Sequence, residues 1–169
     1  MWRIRRNLIL LGLGVSLASI WQSGLALGES RVPPVAMLDG PHVLRQSPEH
    51  VQAVLGKPER TRAVAPDDFQ LPTGGTFRVY RDRGMQVEVD FEREQSTTVV
   101  IEFSNLETAP RSYEGALNAI NLPVSRQPDV TTRDTREWHD LRGYFIRVVA
   151  AYPTHDHIDT IIVSVYPFN

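Results

Sequence analysis

From Met85 to Glu92 apolar and polar residues alternate without a break. Met85, Val87, Val89 and Phe91 fall on one side, and Gln86, Glu88, Asp90 and Glu92 on the other. That period of two predicts a strand with one face buried and one wet. Residues 76–80 (TFRVY) and 97–103 (TTVVIEF) flank it, joined through Asp82-Arg83-Gly84 and a turn at 93–96. Together they predict a β-meander with one apolar face.

The stretch 47–58 (SPEHVQAVLGKP) reads as a helix set ahead of that meander. Ser47 caps it, Pro48 takes the first helical position and Glu49 complements the dipole. Val51, Val54 and Leu55 form an apolar stripe, Gly56 takes the left-handed cap and Pro58 stops the helix. Between Glu59 and Gly75 the polar run with Pro66, Pro72 and Gly74-Gly75 predicts a loop.

The same grammar returns at 112–123 (SYEGALNAINLP). Ser112 is the cap, Ala116, Leu117 and Ile120 the stripe, Asn121 the left-handed residue and Pro123 the stop. A polar loop at 124–136 follows, then Trp138, Gly143 and β-runs at 144–152 and 160–166. Shared order with a length change confined to a loop is what duplication predicts; convergence on one helix-then-hairpin grammar is the alternative. The expected fold is therefore α+β: two tandem helix-plus-antiparallel-β-hairpin units, at 43–106 and 107–169, with the helices packed on one sheet face.

Ahead of both units, MWRIRRN is basic and residues 8–21 are apolar, with small residues after them. Residues 1–28 read as a signal peptide cleaved after Ala26 or Gly28, with an uncleaved anchor as the alternative. Residues 29–42 read as a linker or an extended arm lying on the domain. The product would be periplasmic or secreted, touching a membrane only through an uncleaved N-terminal segment.

Charge narrows the partners. The chain holds 18 basic and 20 acidic residues. The three arginines at positions 3, 5 and 6 fall in the signal segment, leaving 15 basic against 20 acidic. A mildly acidic body argues against nucleic acid. The absence of cysteine removes disulfides, thiolate catalysis and a lipid-bearing cysteine.

A capped helix ending in Leu55-Gly56 and Pro58, then Tyr80 and Gly84 opening two strands, resembles the SmpA/OmlA-type outer-membrane assembly lipoproteins. With Ser112, Pro123, Trp138 and Gly143 as a second copy, the arrangement is similar to that of the secreted β-lactamase-inhibitor proteins. The lipoprotein family is anchored through a cysteine that this chain lacks. The resemblance implies a small extracytoplasmic protein that binds another protein through its open sheet face.

Of the local strings, Thr154-His155-Asp156-His157-Ile158-Asp159 is the sharpest. It resembles the T-H-x-H-x-D string of metallo-β-lactamase-fold hydrolases, which makes His155, His157 and Asp159 candidate metal ligands. Thr160 stands where that string has its last histidine, and the string falls at a hairpin turn, so a polar loop tip is the competing reading. His42, His50 and His139 show no metal-like spacing in sequence.

No serine lies in a nucleophile elbow. The chain is expected to be no enzyme, to need no cofactor and to bind another extracytoplasmic protein. Partner-binding candidates are Tyr80, Arg81, Glu88, Asp90, Trp138, Arg142 and Arg147. Tyr80 and Trp138 also fit a core role, and Glu88, Asp90, Glu92 and Glu102 an acidic outward face. Arg78, Arg81, Arg83, Arg142 and Arg147 form a basic counterpart. A small metal-dependent hydrolase and a small-ligand carrier are the alternative functions.

Overall fold

The computed structural model describes residues 36–66 and 73–168. The expected signal segment at 1–28, the arm up to residue 35 and the middle of the loop before Gly75 lie outside them. The elements are α1 (Gly40–Val43), α2 (Pro48–Leu55), β1 (Arg60–Val64), β2 (Gly75–Asp82), β3 (Met85–Glu92) and β4 (Gln95–Phe103). Then come α3 (Tyr113–Ala119), β5 (Val130–Thr131), β6 (Thr135–Leu141), β7 (Tyr144–Ala150) and β8 (Ile158–Ser164).

The expectation of two tandem helix-plus-hairpin units is overturned. The eight strands hydrogen-bond into one sheet in the order β1-β2-β3-β4-β8-β7-β6-β5, antiparallel throughout. A hairpin unit standing alone would leave its last strand with a row of unpaired N–H and C=O groups. Here β4 and β8 satisfy that row with each other, from Thr98 against Ser164 to Glu102 against Thr160. The edges fall instead on β1 and the short β5, which form inside segments expected to be loops.

Local chemistry explains the punctuation. Ser47 Oγ accepts from His50 N and Ser112 Oγ from Gly115 N, so both caps act as expected. Gly56 and Asn121 end their helices at positive φ, 84° and 58°. The turns Arg83-Gly84 and Arg142-Gly143 hold both residues at positive φ, the geometry that suits the twist of a tight hairpin. Val54, expected in the buried stripe of α2, is 41% exposed; Val51 enters the core and Leu55 packs against its margin.

Register places one side-chain row after another on each face. Tyr80, Val87, Ile101, Ile161 and Val148 lie across from one another, as do Val89, Val99, Val163 and Ile146. Every one of these is at most 1% exposed. The helices cover this face: Val51, Ala116 and Leu117 join the same apolar cluster, and Ser96 Oγ donates to Val43 O. Before α1, the backbone N–H groups of Met37 and Leu38 donate to Ala119 O, so this part of the arm is docked.

Candidate functional site

The opposite face carries the other set of rows. Arg60, Val79, Glu88, Val100, Ile162, Arg147 and Glu137 lie in one register row. Arg62, Phe77, Asp90, Thr98, Ser164 and Phe145 form the next row toward one end of the sheet. Arg81, Gln86, Glu102, Thr160 and Val149 form the row toward the other end. Phe77, Val100, Phe145, Val149 and Ile162 are half-buried there, with no helix over them among the described residues.

Charge on this face is arranged around Gln86. Its amide nitrogen donates to Glu88 Oε1 at 3.1 Å and to Glu102 Oε2 at 2.9 Å, holding the two carboxyl groups side by side. Partial burial and then the neighbouring Glu102 charge push the Glu88 carboxyl above its ordinary pKa, against the pull of Arg60 and Arg62. On the β1 side the guanidinium groups of Arg60 and Arg62 both lie over the Phe77 ring, 5.7 and 5.4 Å from its centroid. These residues and Glu88 line a cleft of about 240 Å³. Arg81, Gln86, Glu102 and Asp159 help line another of about 360 Å³. Both clefts are half-open to solvent, and neither is an enclosed apolar cavity.

The C-terminal segment trims this face at one end. Tyr166 Oη donates to Glu92 Oε2 at 2.8 Å, and Thr73 Oγ1 donates to Glu92 Oε1. The Thr73 hydroxyl and then the Tyr166 hydroxyl hold the Glu92 carboxyl below its usual range. Glu92, expected on the open acidic face, is thus buried at 8% exposure. Arg147 Nε donates to Glu137 Oε1 at 2.7 Å, and its guanidinium sits 4.4 Å from the Phe168 ring centroid.

Of the expected partner-binding residues, Arg81, Glu88, Asp90 and Arg147 share this face. Arg81 pairs with Glu59 at 3.1 Å. Arg142 sits in the β6–β7 turn, exposed. Tyr80 and Trp138 face the other way and are core, 0% and 4% exposed. The indole Nε1 of Trp138 donates to Arg126 O at 3.3 Å. Arg78, expected in the basic counterpart, also lies on the covered face, in phase with Tyr80; its Nη1 reaches Pro48 O at 3.4 Å. Burial raises the Tyr80 hydroxyl pKa, against the proximity and charge of the Arg78 guanidinium, and no hydrogen bond of ordinary geometry reaches its Oη.

The candidate metal ligands do not converge. His157 Nδ1 lies 2.6 Å from Asp156 Oδ1, while Asp159 is exposed and accepts from Thr160 Oγ1. His155 stands at φ 56° beside the Tyr152 ring, and its Nε2 is buried without a partner. Among the described residues no three His, Asp or Glu side chains are grouped to hold a metal.

A closer histidine pair is formed by residues that sequence spacing left apart: His42 Nε2 and His50 Nε2 are 3.2 Å from each other. Each stands three residues after a helix cap, Asp39 and Ser47, and that repeated offset is the only trace of the pair in the sequence.

No family model and no curated protein matches this chain. Two solved structures show a distant likeness. A cysteine-rich secretory protein from Staphylococcus aureus subsp. aureus Mu50 is 10% identical, with a TM-score of 0.46 over 78% of this chain and 47% of its own. An extracellular protein containing an SCP domain, from Bacillus anthracis str. Ames, is 11% identical, with a TM-score of 0.48 over 72% of this chain and 44% of its own. This chain therefore spans less than half the length of either. At such scores neither likeness assigns a function.

Proposed function

We propose that this chain is an exported, non-enzymatic binding protein that docks a second extracytoplasmic protein on the open face of its sheet. The observation that carries the reading is the strip Glu88–Val100–Ile162 with Glu102 beside it: half-buried aliphatic residues next to two carboxyl groups that Gln86 holds together. Such a strip fits a partner presenting arginine or lysine beside apolar side chains. Desolvating the two carboxylates costs energy unless a cation meets them, and that cost supplies specificity. The N-terminal signal pattern supplies the compartment.

The two other readings have less to stand on. A carrier needs an enclosed apolar cavity, and the clefts on this face are shallow and charged. A hydrolase built on His155, His157 and Asp159 needs ligands that point at one spot, and these do not.

The test places a photo-crosslinking side chain at Ile162 on the open face, or at Val54 on the exposed side of α2, in the full chain within its own envelope. A single discrete adduct from position 162 that is absent from position 54, and that is lost in a Glu88→Arg, Glu102→Arg background, is expected. Equal labelling from both positions, or none from position 162, would sink the reading.

A further inference from the structure

We infer that His42 and His50 form a two-imidazole site for a divalent first-row transition metal, Cu2+ most tightly and Zn2+ less so. The sequence separates them by eight residues and a turn, yet α1 and α2 set their Nε2 atoms 3.2 Å apart, with ring centroids at 4.7 Å and planes at 66°. Both rings sit at the protein surface, so an ion and its remaining water ligands have access. The backbone beneath them is fixed. His42 N donates to Asp39 Oδ1 at 3.1 Å and His50 N to Ser47 Oγ at 3.3 Å, while Val43, Leu44 and Val51 are buried to 1% or less.

The separation suits a metal better than it needs to for a neutral contact. Two imidazole nitrogens each bound at about 2.05 Å and lying 3.2 Å apart subtend an angle of roughly 100° at the ion. That lies between the square-planar and tetrahedral values, so either copper or zinc is served by small side-chain rotations. Without metal the pair is held by one N–H···N hydrogen bond, in which one ring donates and the other accepts. When an ion binds, the donor ring's proton moves to its Nδ1 through solvent, so that both Nε2 lone pairs face the metal. Asp39 at the cap of α1 and Glu49 in the first turn of α2 offset the helix dipoles that would otherwise oppose a cation there. Water fills the remaining positions, which makes this an open, exchangeable site. It joins the loop-borne α1 to α2 and is independent of the docking face.

The experiment titrates the full chain with Cu2+ and Zn2+ and follows the ring resonances of all five histidines. One ion per chain is expected. His42 and His50 should respond first, and Zn2+ should raise Tm. His42→Gln and His50→Gln keep a polar surface side chain, and each should lower affinity about 30-fold, because the second nitrogen binds intramolecularly. The double variant His155→Gln, His157→Gln should leave affinity unchanged. Binding that survives both single variants, that is lost in the loop variant, or that is absent at about 100 µM free Cu2+ in the unaltered chain would overturn the inference.

Discussion

Ile161 and Ile162 are neighbours in β8, and they belong to different surfaces. Ile161 lies between Ile101 and Val148 under the helices and is fully buried; Ile162 lies between Val100 and Arg147 and is half-exposed. The same alternation supplies both faces, yet the covered rows are nearly all apolar while the open rows mix aliphatic, aromatic and charged groups. Stability therefore resides chiefly on one face, which leaves the other free for the docking proposed above. The sharpest way to break this contrast is a pair of truncations followed by urea unfolding. Ile161→Ala should cost about 3 kcal/mol, and Ile162→Ala less than about 1 kcal/mol. The second variant should nevertheless be the one that loses the partner. Similar costs for the two would mean that something else covers the open face.

A smaller effect tests the end of the open face that the C-terminal segment closes. Tyr166→Phe removes a donor to the buried Glu92 carboxylate and should cost about 1 kcal/mol. The pH dependence carries the sign. A carboxyl whose folded pKa is depressed contributes stability above its unfolded value, and that contribution is lost as pH falls through the folded one. Without the Tyr166 hydroxyl the depression shrinks, so acid unfolding of the variant should begin at a higher pH. Coincident acid transitions would show that Thr73 alone holds Glu92.

The covered face contains buried polar atoms without a hydrogen-bond partner, Tyr80 Oη and Arg78 Nε among them. Tyr80 Oη is buried and unpartnered, so Tyr80→Phe should be neutral or stabilising by up to about 1 kcal/mol in the same unfolding assay. A loss above 1 kcal/mol would mean that a bound water or the Arg78 guanidinium satisfies the hydroxyl. Tyr80 had been readable either as a binding residue or as core, and its phase resolves the choice. It shares parity with Arg78 and opposes Val87, so any strand that buries Val87 must bury Tyr80. Parity would have removed Arg78 from the basic face for the same reason.

What the chain spells out locally was legible. The Met85–Glu92 alternation, the caps Ser47 and Ser112 and the left-handed Gly56 and Asn121 each follow from a few adjacent residues. What depends on distant pairing was not. β1 is Arg-Thr-Arg-Ala-Val with only Val64 buried, because an edge strand needs backbone partners more than an apolar face. The β4–β8 junction joins two strands with unbroken apolar centres, Val99-Val100-Ile101 and Ile161-Ile162-Val163; such a run marks an inner strand without naming its neighbour, and two expected units became one sheet. The acidic open face was legible from Glu88 and Asp90, whereas Glu92 was lost to it through Thr73 and Tyr166, one distant in sequence from the other. The His42–His50 contact required the α1–α2 turn, and α1 begins inside a segment, 29–42, expected to be an arm.

The smallest effect separates the two faces most directly, because it should move stability and binding in opposite directions. Burial and the Glu102 charge raise the folded pKa of Glu88 above its ordinary value. The folded chain therefore holds a proton there at pH values where the unfolded chain has released it, so stability falls as pH rises from the ordinary carboxylate range through the raised value. Below that range the penalty is absent. Glu88→Gln removes the charge and should stabilise the protein at pH 7 by less than about 0.5 kcal/mol, since solvent screens a half-exposed site; the gap should close by about pH 4. On the open face the cost is consistent with a cation arriving from a partner, so the same variant should weaken docking while it strengthens the fold. A Glu88→Gln chain that is more stable and docks as well as before would place the recognition surface elsewhere than beside Val100 and Ile162.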